Sequence, residues 1–492
     1  MGHEPGRRRV RGLVVVVVLW SFGGTIALAG PPAGADPGTG RRSNRPLFTV
    51  INPPVAASHA FNGLSPMPVN SAVLALNPND PFDLFAAGND YNTACPTRQG
   101  FYRSLDGGVN WYASDAKCMD PVASYTGCGS PAVAYDFDTS ASNKVYVAGV
   151  DCSGSSKAIA FQDLTASGWS TPTIAVSPLF AGGVAKEPSM TVDQSPSSPL
   201  FKRIYLSSTQ VDSPGSNSTI TVSFSSDGGT TWFGPVAVDS TQTQPYLDDF
   251  GALATSSDGT VYVTWLRCKS VGPNNNCGST YGTLFVARSS DGGSTWAPPV
   301  AIVNVHLPPD ANCAGVTAYY GSIPGTCEPF AEVPSIAVDN TGSAYAGRVY
   351  VLATRWNGTL EVGVARSPDH GLTWLGPSPV STVAADQFFP ALSVSTKGCP
   401  TVSWLQMSGL VYLPYISAST SGGAGGWFGS QALSSAPSDP IDDGFGGHDL
   451  GERTGNGWAD PTHLFASWMD TSNGSRSEIM VGGATVLVAS PC

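Results

Sequence analysis

Short runs rich in β-branched and aromatic residues recur along most of the chain. Val261-Tyr262-Val263-Thr264-Trp265 is one such run. It has counterparts at Val145-Tyr146-Val147, Ile204-Tyr205-Leu206, Val349-Tyr350-Val351, Val402-Ser403-Trp404 and Phe465-Ala466-Ser467-Trp468. A second set reads Pro188-Ser189-Met190-Thr191-Val192-Asp193 and Pro334-Ser335-Ile336-Ala337-Val338-Asp339, with related starts at Ser71, Pro131, Gly251, Pro390 and, less regularly, Gly451. Such runs, bounded by turn residues, predict strands. No stretch of the body carries a convincing helical period. Gly, Pro, Ser and Thr separate the runs, and only 12 % of residues are charged, so the chain reads as all-β with many turns.

The runs belong to a repeat that is clearest at its turns. Ser104-Leu105-Asp106-Gly107-Gly108-Val109-Asn110-Trp111 recurs as Ser225-Ser226-Asp227-Gly228-Gly229-Thr230-Thr231-Trp232. Two further copies are Ser289-Ser290-Asp291-Gly292-Gly293-Ser294-Thr295-Trp296 and Ser367-Pro368-Asp369-His370-Gly371-Leu372-Thr373-Trp374. An Asp in a tight turn accepts hydrogen bonds from the N–H groups that follow it. Gly supplies the positive φ, and the indole covers the turn. Asp106, Asp227, Asp291 and Asp369 are therefore predicted to be structural.

These octapeptides resemble the Asp boxes (bacterial neuraminidase repeats) of the sialidase superfamily. The resemblance implies a β-propeller of four-stranded blades, with each box turning between a blade's third and fourth strands. Ile220-Thr221-Val222-Ser223-Phe224 then reads as a third strand and Val236-Ala237-Val238 as a fourth. Units two and six lack the box but keep Trp169 and Trp427 in its place. There are seven first strands, and the last unit ends after its third strand. Leu47-Phe48-Thr49-Val50-Ile51 can supply the missing fourth strand and close the ring. Seven blades are favoured. Six, the usual count of catalytic sialidases, is the alternative.

The start of the chain is of a different kind. Arg7, Arg8, Arg9 and Arg11 precede the apolar run Leu13 to Trp20, and Ala33-Gly34-Ala35 precedes Asp36. This is the pattern of a secretory signal peptide over 1–35, with Ala27-Leu28-Ala29 as another exit; an uncleaved membrane anchor is the competing reading. Residues 36–492 form the propeller domain. Ten cysteines in an exported chain imply disulfides. The proposed pairs are Cys95–Cys118, Cys128–Cys152, Cys268–Cys277, Cys313–Cys327 and Cys399–Cys492. If first strands run from face A to face B, the boxes lie on face B and every proposed pair is same-face, the first four on face A. The long loops also lie on face A, which is where function is expected.

The net charge is −12, so nucleic acid is excluded as a partner. An anionic ligand would need a local cationic pocket. The resemblance implies three Arg on a substrate carboxylate, a Tyr nucleophile with a Glu partner and an Asp acid/base. Face A offers Arg267, Arg355 and Arg453, with Glu332, Asp249 and Tyr246. Glu187, Asp248, Asp386, Asp442, Asp443 and Asp449 add an acidic set with His448. One departure stands out: no Arg-Ile-Pro segment near the start supplies the expected first Arg, and Lys186-Glu187-Pro188 does not match it. Three readings follow. The chain binds a glycan or an extracellular protein on face A, or is an exo-glycosidase of terminal acidic sugars, or is a structural propeller. The binding reading leads. No cofactor is required, structural calcium at the acidic set is an expectation, and the mature chain is expected to be a monomer without membrane insertion.

Overall fold

The computed structural model describes residues 43–486 apart from 51–53, 59–66, 93–94, 96, 112–116, 119–127, 138–143, 153–155, 166–167, 270–280, 312 and 314–320. The segment read as a signal peptide, residues 36–42, Cys277 and Cys492 lie outside the described residues.

The repeat folds as expected, into a seven-bladed propeller of antiparallel four-stranded blades. First strands are Val69–Leu76, Ala132–Tyr135, Val184–Val192, Tyr246–Thr255, Ile336–Val338, Gln387–Val394 and Gly455–Trp458. Each lies against the first strands of its two neighbours, and the seventh lies against the first. They form the wall of a central channel. Second strands are sandwiched between adjacent blades and so lose their polar face. Val261, Tyr262 and Val263 are wholly buried, as are Trp265, Trp404 and Trp468. Burial on both faces accounts for their near-continuous apolar runs. Fourth strands form the rim, and Phe233–Ala237 of blade 3 is mostly open to solvent.

Closure works as the sequence predicts. Phe48–Val50 pairs antiparallel with Glu478–Val486, matching Phe48 to Val486 and Val50 to Ala484. The N-terminal strand thus completes blade 7 and removes an open end.

All four octapeptides join a third strand to a fourth. In the second, Asp227 accepts the Thr231 N–H at 2.9 Å and the Thr231 hydroxyl at 2.6 Å, while the Ser225 hydroxyl accepts the Gly229 N–H at 2.9 Å. Asp106, Asp291 and Asp369 repeat this geometry. The Thr side chains and N–H groups hold Asp291 and Asp369 down to about 2. Gly228 and Gly229 have φ of 74° and 89°, and in the fourth box His370 accepts the same left-handed turn at 58°.

Cys95–Cys118, Cys128–Cys152 and Cys313–Cys327 are bonded as proposed. Cys268 and Cys399 are also disulfide-bonded, but their proposed pairings with Cys277 and Cys492 involve partners outside the described residues. Among the described residues no helix is long and apolar enough to cross a membrane.

Candidate functional site at the mouth of the channel

The first strands share a defect near their face-A ends. In blades 1, 3, 4 and 6 two residues of the first strand oppose one of the second, which is a β-bulge. The ladder resumes at Val73, Ser189, Ala252 and Ala391. Two residues before each stands a non-glycine with positive φ: Ser71 at 56°, Glu187 at 51°, Phe250 at 57° and Phe389 at 46°. In blade 2, Ser130 at 54° stands two residues before Ala132. Left-handed backbone costs an L-residue roughly 1–2 kcal/mol, so the strain is gathered in one ring at the mouth.

The same count aligns the remaining blades. Ladders resume at Ser335 in blade 5, whose carbonyl accepts the Leu352 N–H, and at Gly455 in blade 7. The ring position just ahead of the bulge then holds Asn70, Gly129, Lys186, Asp249, Glu332, Phe388 and Glu452 in blade order. The bulge position holds Ser71, Ser130, Glu187, Phe250, Val333, Phe389 and Arg453. Charge is therefore confined to blades 3, 4, 5 and 7.

These charges are interlocked. Lys186 Nζ lies 2.7 Å from Asp249 Oδ2, and the Thr209 hydroxyl donates to Asp249 Oδ1 at 2.9 Å. Arg453 reaches from blade 7 to blade 3. Its Nη2 donates to Glu187 Oε2 at 2.6 Å and its Nη1 to the Pro188 carbonyl at 2.9 Å. Its side chain is only 10 % exposed, and its Nε makes no hydrogen bond, although Glu452 Oε1 lies 3.8 Å away. The Ser71 hydroxyl donates to Glu452 Oε2 at 3.1 Å.

Burial and the charge of Glu187 push Glu452 up to about 7, against the pull of Arg453 and Ser71. Burial works against the Lys186 ammonium, but Asp249, Glu187 and Glu452 together hold its pKa above the ordinary lysine value. Glu332 is 2 % exposed. It accepts the Thr354 N–H at 2.9 Å, and burial raises it to about 8. Below the ring lies the channel, a cavity of about 500 Å³ walled by first strands. A smaller space of about 180 Å³ at its mouth is lined by Ser189, Gly251, Ser335, Pro390, Glu452 and Arg453.

The residues expected at the site are thus divided. Asp249, Glu332 and Arg453 stand on the ring. Arg267 does not: it chelates Asp248 at 2.7 and 2.9 Å, adds Asp239 at 2.8 Å and lies over the Phe285 ring. Arg355 pairs with Glu361 at 3.3 Å on the outer side of blade 5. Each of the three arginines has its own carboxylate. Tyr246 is 51 % exposed at the face-A edge of blade 4, opposite Lys269, with no carboxylate bonded to its hydroxyl among the described residues.

Lys186 and Glu452 were not singled out by sequence. Once strand pairing fixes the bulge, counting back three residues from each resumed ladder finds both. Among the acidic set, Asp443 is fully buried and accepts four backbone N–H groups, from Phe445, Gly447, His448 and Asp449. It builds the loop between blades 6 and 7. Among the described residues no three His, Cys, Asp or Glu side chains gather in a way that could hold a metal ion.

No family model matches the chain, and no curated protein matches it. Among solved structures it is similar to a protein of unknown function from Dyadobacter fermentans, at 13 % identity over 90 % of this chain and 100 % of that one, with a TM-score of 0.45. It is similar to an alpha-L-arabinanase of Penicillium chrysogenum at 13 % identity over 89 % and 98 %, TM-score 0.45. It is also similar to an ulvan lyase, a polysaccharide lyase, at 10 % identity over 90 % and 94 %, TM-score 0.47. Identities this low leave function to be argued from the chain's own residues.

Proposed function

We propose that this chain is an exported saccharide-binding propeller whose site is the charged ring at the face-A mouth of its channel. The observation that carries the reading is the set Lys186, Glu187, Asp249, Glu452 and Arg453. Paired cations and carboxylates at fixed spacing present both donors and acceptors, as a polyhydroxylated ligand requires. Lys186 and Arg453 set two cations at the mouth of an otherwise acidic protein, which favours a sugar that carries a carboxylate. The basic and apolar start of the chain and the three bonded disulfides support export.

Cleavage of a glycosidic bond is the second reading, and one observation favours it. Glu452, raised to about 7, stands beside Glu187, which is held by Arg453. A carboxyl group that keeps its proton near neutrality, with a second carboxyl group nearby, is what acid/base cleavage needs. In the resemblance to sialidases, Arg453 would be the residue that meets the sugar carboxylate.

A glycan array probed with residues 36–492 and with an Arg453→Met variant tests the reading. Binding to acidic glycans that is lost in the variant is expected. Equal binding by both proteins, or none by the wild type, contradicts it. Fluorogenic sialoside and arabinofuranoside substrates, tested with wild type and Glu452→Gln, separate the two readings. Turnover lost in the variant favours cleavage.

A further inference from the structure

Beyond the mouth, blade 4 carries a second feature on face A. Tyr246 of its first strand pairs with Lys269 of its second. Cys268 pairs with Gly282, which places Tyr281 of the third strand beside Lys269, and Tyr281 pairs with His306 of the fourth. Directly paired residues of an antiparallel sheet project to the same side. Tyr246, Lys269, Tyr281 and His306 therefore form one row across the whole blade at its upper edge.

Tyr246 is 51 % and Tyr281 65 % exposed, and Lys269 makes no ion pair among the described residues. The Tyr281 ring stacks on His306, with centroids 4.7 Å apart and planes 14° from parallel. His306 Nδ1 is in turn fixed 3.0 Å from the Trp356 carbonyl. The next rank down supports the row: Arg267 lies over Phe285, and the Thr283 hydroxyl donates to Asn304 at 2.9 Å. Beside Tyr246 stands the exposed Thr243, whose hydroxyl donates to Asn217 Oδ1 at 2.8 Å.

We propose that this row is a platform for an acidic oligosaccharide that extends outward from the mouth; the proposal rests on the saccharide reading above. Flat, fixed aromatic faces receive the apolar faces of pyranose rings. Lys269, exposed and without an ion pair among the described residues, provides positive charge beside the rings, which selects a chain bearing carboxylates. The direction follows from the strands. Asp249 of the ring and Tyr246 of the row are on one strand, about 10 Å apart. The four strands carry the row about 14 Å further outward. This is the length of a short oligosaccharide rather than of a single sugar.

The test is calorimetric titration of oligogalacturonates, dimer to tetramer, with cello-oligosaccharides as the neutral series. Wild-type affinity for oligogalacturonates is expected to rise with chain length. Tyr281→Ala is expected to bind the tetramer about tenfold more weakly and to lose the gain with length. Lys269→Gln is expected to weaken the acidic series severalfold and leave any cello-oligosaccharide binding unchanged. Both substitutions are on the surface, and thermal melts verify the fold. Affinity independent of length, or unchanged in both variants, overturns the platform. Arg453→Met distinguishes the mouth. If it binds like wild type while Tyr281→Ala is weakened, the mouth reading fails and the platform stands. No binding of either series by wild type overturns both.

Discussion

Replacing Glu332 with Gln should flatten the pH dependence of stability. The carboxyl is buried, accepts one N–H from Thr354 and sits near 8 in the folded chain, against an ordinary value of 4.5. Between these values the folded chain keeps a proton that the unfolded chain has released. The group's contribution is therefore fully present below 4.5 and is lost as pH rises through about 8. One proton of difference is worth about 1.4 kcal/mol per pH unit. Between pH 5.5 and 7.5 this single group should cost the wild type about 2 kcal/mol. A Gln at this position keeps a carbonyl for Thr354 and does not titrate. Urea melts of both proteins at the two pH values, with disulfides intact, provide the assay. The difference between pH values should shrink by about 2 kcal/mol in the variant. Glu328, raised to about 9 chiefly by burial and then by Asp443, leaves a residual slope of the same sign. Identical slopes in the two proteins would refute the reasoning.

Further outcomes follow from packing and pairing. Gly229→Ala places a methyl group on the Phe161 ring at a φ of 89°. It should cost about 2–4 kcal/mol in a denaturant melt, whereas Gly342→Ala, with open space around it, should cost less than about 1 kcal/mol. Arg267→Met strands the buried Asp248 carboxylate and should lower stability by roughly 3 kcal/mol, while saccharide binding at the mouth persists in titration. Removing residues 36–52 takes away the strand that closes blade 7. The shortened chain should melt lower than wild type in calorimetry, and an unchanged melt would count against closure by Phe48–Val50.

The turns were the most legible part of the sequence, because the octapeptide's function is local. Asp227, Gly228 and Thr231 meet across four residues, so their hydrogen bonds can be read from spacing alone. Second strands were legible as runs, and their burial on both faces explains why Val261 to Trp265 alternates so weakly. The N-terminal strand could be inferred because a seventh unit lacking a fourth strand demands one. The site was less legible. A bulge is a relation between two strands, so the offset that aligns Lys186, Asp249, Glu332 and Glu452 is not visible in any one segment. The arginines mislead for a related reason. Arg267, Arg355 and Arg453 all lie toward face A, but the ion pair each one makes depends on cross-strand register. Only Arg453 turns inward, because it occupies a bulge position, where the other blades hold Ser, Glu, Val or Phe.

The most direct test of the account is a crystal structure of the mature chain soaked with digalacturonate. The account predicts a sugar ring in the face-A mouth, with its carboxylate within hydrogen-bond distance of Arg453 and its hydroxyls facing Glu452 and Asp249. A sugar bound only on the Asp-box face, or an empty mouth at saturating ligand, would contradict it.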